Sequence, residues 1–278
     1  MGVTTEQVIL VTGATDGLGR AVATKLAERG ATVLLHGRDE TRLADSLERI
    51  RAETQNEKLR TYRADFSSLD EVGGMAERIV GDQDRIDVLV NNAGIGTALP
   101  GDGERMESRD GHELRFAVNY LAHFLLTRRL VSLIVSSAPA RIVNVSSAGQ
   151  APIDFDDVML ERAYDGVQAY CQSKLAQIML TFDLAEELRD ESVTVNCLHP
   201  ATYMPTKIVL HARGNAISSL EEGVEATLRL AADDELDGVT GRYFNGQNEG
   251  RAHPQAYDPD ARRRLRELSE RLAGATGR

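Results

Sequence analysis

Positive charge is in short supply in this chain of 278 residues: 32 Lys and Arg stand against 43 Asp and Glu, a net charge of −11. Such a balance repels polyphosphate backbones and anionic surfaces at long range, which argues against nucleic acid as a partner. Cysteine is scarcer still. The two present, Cys171 and Cys197, match no metal-ligand spacing, so they read as reduced thiols and no metal site is expected. No apolar run approaches the roughly 18 residues of a membrane span, and MGVTTEQVILVTG lacks a basic segment followed by a long apolar one. The expectation is no membrane span and a cytoplasmic location. Repeats, low-complexity tracts and long Pro/Ser-rich linkers are missing too, which leaves one domain over residues 1–278. What is present, 42% hydrophobic and 27% charged residues, is enough for a core without staples.

Short β-branched apolar runs alternate with longer stretches of helical periodicity. QVILVT precedes a helix from Gly17 to Arg29, ATVLLH one from Glu40 to Ala52, LRTYRAD one near Ser68 to Val80, and RIDVLVNN a long one through Arg105 to Val135. RIVNVSS precedes a helix around Gln168 to Arg189, SVTVNCL one near Leu220 to Ala232, and GRYF ends the series. Strands that are apolar almost throughout and separated by helices make a parallel sheet covered on both faces. Right-handed crossovers make it doubly wound, an α/β Rossmann-type sheet of about seven parallel strands. Three stretches read as loops: Ile95 to Gly103, Ala148 to Asp165, and Pro200 to Asn215, the last a substrate-loop region. All follow the carboxyl ends of strands, the edge where open α/β sheets bind ligands. Leu265, Leu268 and Leu272 predict a docked amphipathic helix over about 260–273.

Four motifs carry chemistry. In TGATDGLG, between the first strand and first helix, Gly13, Gly17 and Gly19 permit a tight turn and close approach to a pyrophosphate at the helix N-terminus. Three residues separate the first two glycines, which departs from G-x-G-x-x-G, and alone such a loop is as often only a turn. Tyr170 and Lys174 stand four apart on a helix and so share a face, where an ammonium near a phenol favours phenolate and makes a tunable proton donor and acceptor. Alone, such a pair is more often an ordinary interfacial one than a catalytic one. Tyr203 and Lys207 repeat the spacing, but Pro205 between them disfavours a shared helix. Asn144-Val145-Ser146-Ser147 and Asn91-Asn92-Ala93-Gly94 place hydroxyls and amides at strand ends, as a ligand site or a simple turn would.

Together, TGATDGLG, NNAG, Asn119 within FAVNYLAHF, NVSS, YCQSK and VNCLHP resemble the classical short-chain dehydrogenase/reductase family over nearly the whole chain. SRDGHELRFAVNYLAHFLLT and GRYFNGQNEG are most similar to its retinol dehydrogenase-like branch. The resemblance implies an NAD(P)-dependent oxidoreductase that interconverts an alcohol and a ketone or aldehyde by hydride transfer. Tyr170 would be the general acid and base, Ser147 would orient the substrate oxygen, Lys174 would lower the phenol pKa and hold the nicotinamide ribose, and Asn119 would support Lys174 through water. Gly13, Thr15, Asp16, Gly17, Leu18 and Gly19 would bind the cofactor, with Arg38, Asp65, Phe66, Asn91, Ala93, Gly94, Pro200 and Thr202, and Tyr170 and Lys174 would touch it too. Asp65 would accept from the adenine amino group. Many relatives associate through the helices that here contain Asn119 and Tyr170, which implies a homodimer or homotetramer.

The end of the second strand reads His36-Gly37-Arg38-Asp39, with Gly37 where NAD-binding sheets place an acid and Arg38 able to take a 2′-phosphate bidentately. NADP is therefore expected over NAD. Asp16, where many NADP-using relatives carry a basic residue, and Asp39, a ready partner for Arg38, speak the other way. The acidic stretch APIDFDDVMLERAYDG lengthens the Ser147 to Tyr170 interval and is either a flap on the substrate or a solvated loop. HPATYMPT has Ala201 where the family has Gly and an extra residue before Thr206, while His199 reads as a turn residue. Met204, Ile208, Val209 and Leu210 line an apolar pocket or pack on the core. A different class, a non-catalytic dinucleotide-binding redox sensor on the same fold, would not need Asn119, Ser147, Tyr170 and Lys174 together. The substrate is expected to be a small alcohol or carbonyl compound.

Overall fold

The computed structural model describes residues 6–98 and 100–274. Eight strands form one sheet in the order β3-β2-β1-β4-β5-β6-β7-β8: β1 (Val8–Val11), β2 (Thr32–Gly37), β3 (Leu59–Arg63), β4 (Val88–Asn91), β5 (Ala140–Val145), β6 (Val193–His199), β7 (Tyr243–Asn245) and β8 (Asn248–Gly250). The first seven run parallel, as expected. The strand order reverses at β1 and β4, so the loops leaving their carboxyl ends open a crevice there.

The helices are α1 (Gly17–Glu28), α2 (Glu40–Thr54), α3 (Leu69–Asp82), α4 (Leu114–Ser136), α5 (Gly166–Glu187), α6 (Lys207–Arg213), α7 (Leu220–Ala232) and α8 (Pro259–Leu272). Alternation along β1 feeds two cores. Leu10 points to the layer of α3, α4, α5 and α8, while Ile9 and Val11 point to that of α1, α2 and α7. Side-chain caps fix the helix starts: Asp16 on α1, Asp39 on α2, Ser68 on α3, Asp165 on α5, and a reciprocal Ser219–Glu222 capping box on α7. Because four of these caps directly follow loops at the binding edge, they also set where each helix begins relative to a ligand.

Four details differ from the sequence reading. The antiparallel β8 returns from β7 through Gly246 at φ +60°, and Asn248 and Glu249 are exposed, so this edge strand has no apolar alternation to announce it. The helix expected from Arg105 starts at Leu114, because Ser108 accepts from the backbone of Asp110 and His112 and Glu107 bridges to Glu113, closing a turn instead. Within the expected loop from Pro200 to Asn215, Thr206 caps α6 and Gly214, left-handed at φ +76°, ends it. Finally, α4 is long and apolar enough to cross a membrane by length and composition, although 61% of its apolar window is buried inside the fold. It reads apolar because it packs on the sheet and on its neighbouring helices.

Candidate active site

The glycine loop is bolted to the neighbouring strand ends. Gly13 N–H donates to His36 Nδ1 at 3.1 Å, and Thr12 Oγ1 accepts from the backbone N–H groups of Asn92 and Ala93 at 2.8 and 2.9 Å. Asn92 Nδ2 donates to Thr12 O at 2.8 Å and lies where a side chain on Gly19 would stand. At Gly13, φ is +68° and an added Cβ would lie 2.8 Å from Ala93 Cα, so two independent constraints demand glycine. A cradle this tight, open at the N-terminus of α1, fits the pyrophosphate of a dinucleotide. Thr15 fills the space over Gly37, and Thr206 Cγ2 comes within 3.3 Å of a Cβ placed on Gly17. Thr206 thus reaches this loop, whereas Thr202 is exposed and contacts His199 at 3.2 Å, and Pro200 is buried at the end of β6.

Several expected cofactor residues turn inward. The Asn91 side chain bonds Thr127 and Asn144 at 3.1 and 2.8 Å in the core, while Asn92 takes the position beside the glycine loop. The Phe66 ring is buried, stacked on His36 at 4.1 Å, and Leu18 is buried beside Met204, leaving only their backbones for a ligand. Met204 packs on Gly223, which places it in the core rather than in a pocket, while the Ile208 side chain lies outside the described residues. Asp65 is half-buried; burial raises its pKa, but bonds from Ser67 and the charges of Arg109 and Arg38 outweigh this and hold it low.

At the end of β2, Arg38 is exposed and has no ion pair among the described residues. Asp39 caps α2 through Arg42 N at 2.9 Å instead of pairing with Arg38. Asp16 accepts from Gly17 N at 2.8 Å, and its second oxygen pairs with Arg42 at 3.0 Å, so the acid in the glycine loop is already countered. Arg42 was not read from the sequence. Its signal was a cation in the first turn of a helix, where the helix dipole disfavours one.

The proton-transfer candidates gather at the carboxyl ends of β4 and β5. An added Cβ on Gly149 would lie 3.5 Å from Ser147 Oγ, 3.7 Å from the Tyr170 ring and 3.2 Å from Cys171 Sγ. On the other side, a Cβ on Gly94 would lie 3.1 Å from Asn119 Oδ1 and 3.6 Å from Lys174 Nζ. Asn119 sits in a π-helical turn of α4, Ala117–Leu121, and clamps Ile95: Oδ1 accepts from Ile95 N at 2.8 Å and Nδ2 donates to Ile95 O at 3.2 Å. Lys174 Nζ donates to Val145 O at 3.0 Å and Gln177 Oε1 at 2.8 Å, and lies 5.8 Å from the Tyr170 ring centroid. Burial pulls the Lys174 pKa down to about 7 and pushes that of Tyr170 up, the Ser147 hydroxyl bonded to Tyr170 pulling the other way. The expected lowering of the phenol pKa by Lys174 is therefore not seen in the protein alone, because both groups are desolvated and the ammonium is engaged by Val145 and Gln177. Gln177, one turn beyond Lys174, was missed by sequence reading.

The insertion between Ser147 and Tyr170 packs on the core through Ile153 and Val158, with Leu160 also buried, while Asp154 and Asp156 face solvent. Residues 7–214 match the model of the short chain dehydrogenase family. The chain is 37% identical to mouse retinol dehydrogenase 13 over 96% of its own length and 83% of that protein's, and 35% identical to human retinol dehydrogenase 14 over 96% and 86%. Among solved structures, it is similar to an uncharacterised protein from Mycobacterium paratuberculosis, with TM-score 0.77, 26% identity and 99% and 98% of the two chains covered. It is also similar to a short chain dehydrogenase from Shigella flexneri complexed with NADP, with TM-score 0.72, 27% identity and 88% and 99% covered.

Proposed function

This chain belongs to the short-chain dehydrogenase family, on its retinol dehydrogenase-like side, and from that premise we propose that it uses NADP(H) and that Tyr170 is its acid and base. The reaction class follows from the family: an NAD(P)-dependent oxidoreductase that interconverts alcohols and carbonyl compounds. The observation that carries the assignment of roles is the convergence on two glycines, Ser147 with Tyr170 on Gly149 and Asn119 with Lys174 on Gly94. A bound nicotinamide supplies or accepts the hydride. On the protein side, the half-buried Tyr170, its pKa pushed up by desolvation, is a phenol at neutral pH, suited to give its proton to a carbonyl oxygen that Ser147 Oγ orients. Ser147 is itself held at 3.0 Å by Gly149 N–H. Lys174 would hold the ribose and stabilise the phenolate left behind.

Arg38 supports NADP over NAD because it is exposed, has no ion pair among the described residues and is carried by the strand end that meets the adenosine ribose. The Shigella flexneri structure, complexed with NADP, is consistent with this. Titration by nicotinamide fluorescence should give tighter binding of NADPH than of NADH, with Arg38→Ala weakening NADPH about tenfold or more and leaving NADH unchanged. Tyr170→Phe should bind NADPH as the wild type does and lose nearly all turnover. A preference for NADH would overturn the assignment of Arg38, and an active Tyr170→Phe that of Tyr170.

A further inference from the structure

A buried charge cluster beside the site has no role in the chemistry above. Glu113 and Arg115, where α4 begins, are both at 0% exposure. Tyr164, just before α5, stands between them: Arg115 Nη1 donates to Tyr164 Oη at 2.6 Å, and Tyr164 Oη donates to Glu113 Oε1 at 3.0 Å. The guanidinium and carboxylate themselves are 3.8 Å apart. The rest of the guanidinium is spent on one loop, with Nε donating to Gly96 O at 2.8 Å and Nη2 to Thr97 O at 2.8 Å and Pro100 O at 3.4 Å. Glu113 Oε2 accepts from Phe116 N at 2.6 Å and so caps α4. The same loop presses on α5 directly: an added Cβ on Gly166 would lie 2.7 Å from Thr97 O and 2.9 Å from Gly103 O.

Stability alone does not explain this arrangement, since apolar residues of similar volume usually replace a buried ion pair without loss. Directed bonds from one rigid guanidinium do fix geometry. The three segments joined are those that carry the site. The loop leaves Gly94, which touches Lys174 and Asn119; α4 carries Asn119 little more than a turn after Arg115; and α5 carries Tyr170 in its second turn. We infer that Glu113, Arg115 and Tyr164 are positioning residues, which hold the loop backbone at Gly96, Thr97 and Pro100 against the start of α5 and so set the wall of the carbonyl-binding cleft beside Tyr170. The kinetic consequences rest on the oxidoreductase reading above; the anchoring does not.

Two variants test it. Tyr164→Phe keeps the ring and removes the bridging hydroxyl, and the double variant Glu113→Gln/Arg115→Met removes both charges without stranding either. Steady-state reduction of a carbonyl series, NADPH fluorescence titration and amide hydrogen exchange are measured on each. Both variants should lose about tenfold or more in kcat/KM for the carbonyl, as a small misplacement of reacting groups does, with the KM for carbonyl raised. NADPH affinity should stay within about twofold of wild type, and exchange over residues 96–103 should quicken. Wild-type kcat/KM in both folded variants would overturn the inference, as would a defect that only follows melting temperature and NADPH affinity together. A wild type that turns over no carbonyl sinks the oxidoreductase reading instead, and unchanged exchange in the variants would then still overturn the anchoring.

Discussion

Lys174 brings an amine to full burial with Val145 O and Gln177 Oε1 as its acceptors, and desolvation lowers its pKa from 10.5 to about 7. Between those two values the unfolded chain holds more protons on this residue than the folded one, so stability rises with pH across the window. The cost of burying the amine is complete below pH 7 and relieved toward pH 10.5. Wild type should therefore gain melting temperature relative to Lys174→Met as pH is raised from 7 to 9.5, whichever protein is the more stable at pH 7. Parallel melting curves over that range would show that the amine is not desolvated. The same burial has a functional side: an amine close to neutrality near pH 7 can regain its full charge when an anionic cofactor or a phenolate arrives.

Helices and loops in this protein use glycine for opposite reasons. Gly73 sits inside α3 with nothing within 4 Å of an added Cβ, so there it brings only backbone freedom to the unfolded chain. Gly94, at the start of the loop after β4, has Asn119 Oδ1 at 3.1 Å and Lys174 Nζ at 3.6 Å from that Cβ position. Gly73→Ala should stabilise by about 0.5–1 kcal/mol in urea denaturation with turnover unchanged. Gly94→Ala should reduce turnover at least about tenfold by displacing the Asn119 and Lys174 groups. Equal effects of the two on activity would contradict the packing at Gly94. The parallel strands and most helices were legible because their signals are local, being apolar runs and Asp or Ser caps. Asn119, Ser147, Tyr170 and Lys174 stood out in the sequence only through the joint resemblance of their motifs to the short-chain dehydrogenase family, since no one of their spacings is distinctive alone. Arg42, Gln177 and the Arg115 cluster were not, because each acts on a partner brought close only by the fold: Asp16, Lys174 and the carbonyls of Gly96, Thr97 and Pro100. Edge strand β8 escaped for want of an apolar pattern, and α6 because its apolar residues, Ile208, Val209 and Leu210, are consecutive in a helix of seven residues and show no helical period.

At the scale of the molecule, the helices that carry Asn119 and Tyr170 are covered by the chain itself. Helix α8 lies across α4 and α5: Ser269 Oγ bonds Tyr120 Oη at 2.7 Å, Arg266 pairs with Asp183 at 2.8 Å, and Arg262 pairs with Glu186 at 3.1 Å. Leu265 is buried against the same core as Tyr120, Phe124 and Met179. A second copy could pair through this face only by displacing α8 and uncovering that apolar surface in both chains. The apolar contacts of Ala261, Leu265, Leu268 and Leu272 dock the helix, with on the order of 2–3 kcal/mol from Leu265 as the buried leucine among them. The intact chain should accordingly run as a monomer in light scattering at micromolar concentration, whereas Leu265→Asp, which puts a charge into the seam, should melt earlier and self-associate. If the intact chain is instead a dimer while α8 amides stay protected from exchange, association uses another face of the molecule, and the covered α4–α5 surface is a packing feature with no bearing on assembly.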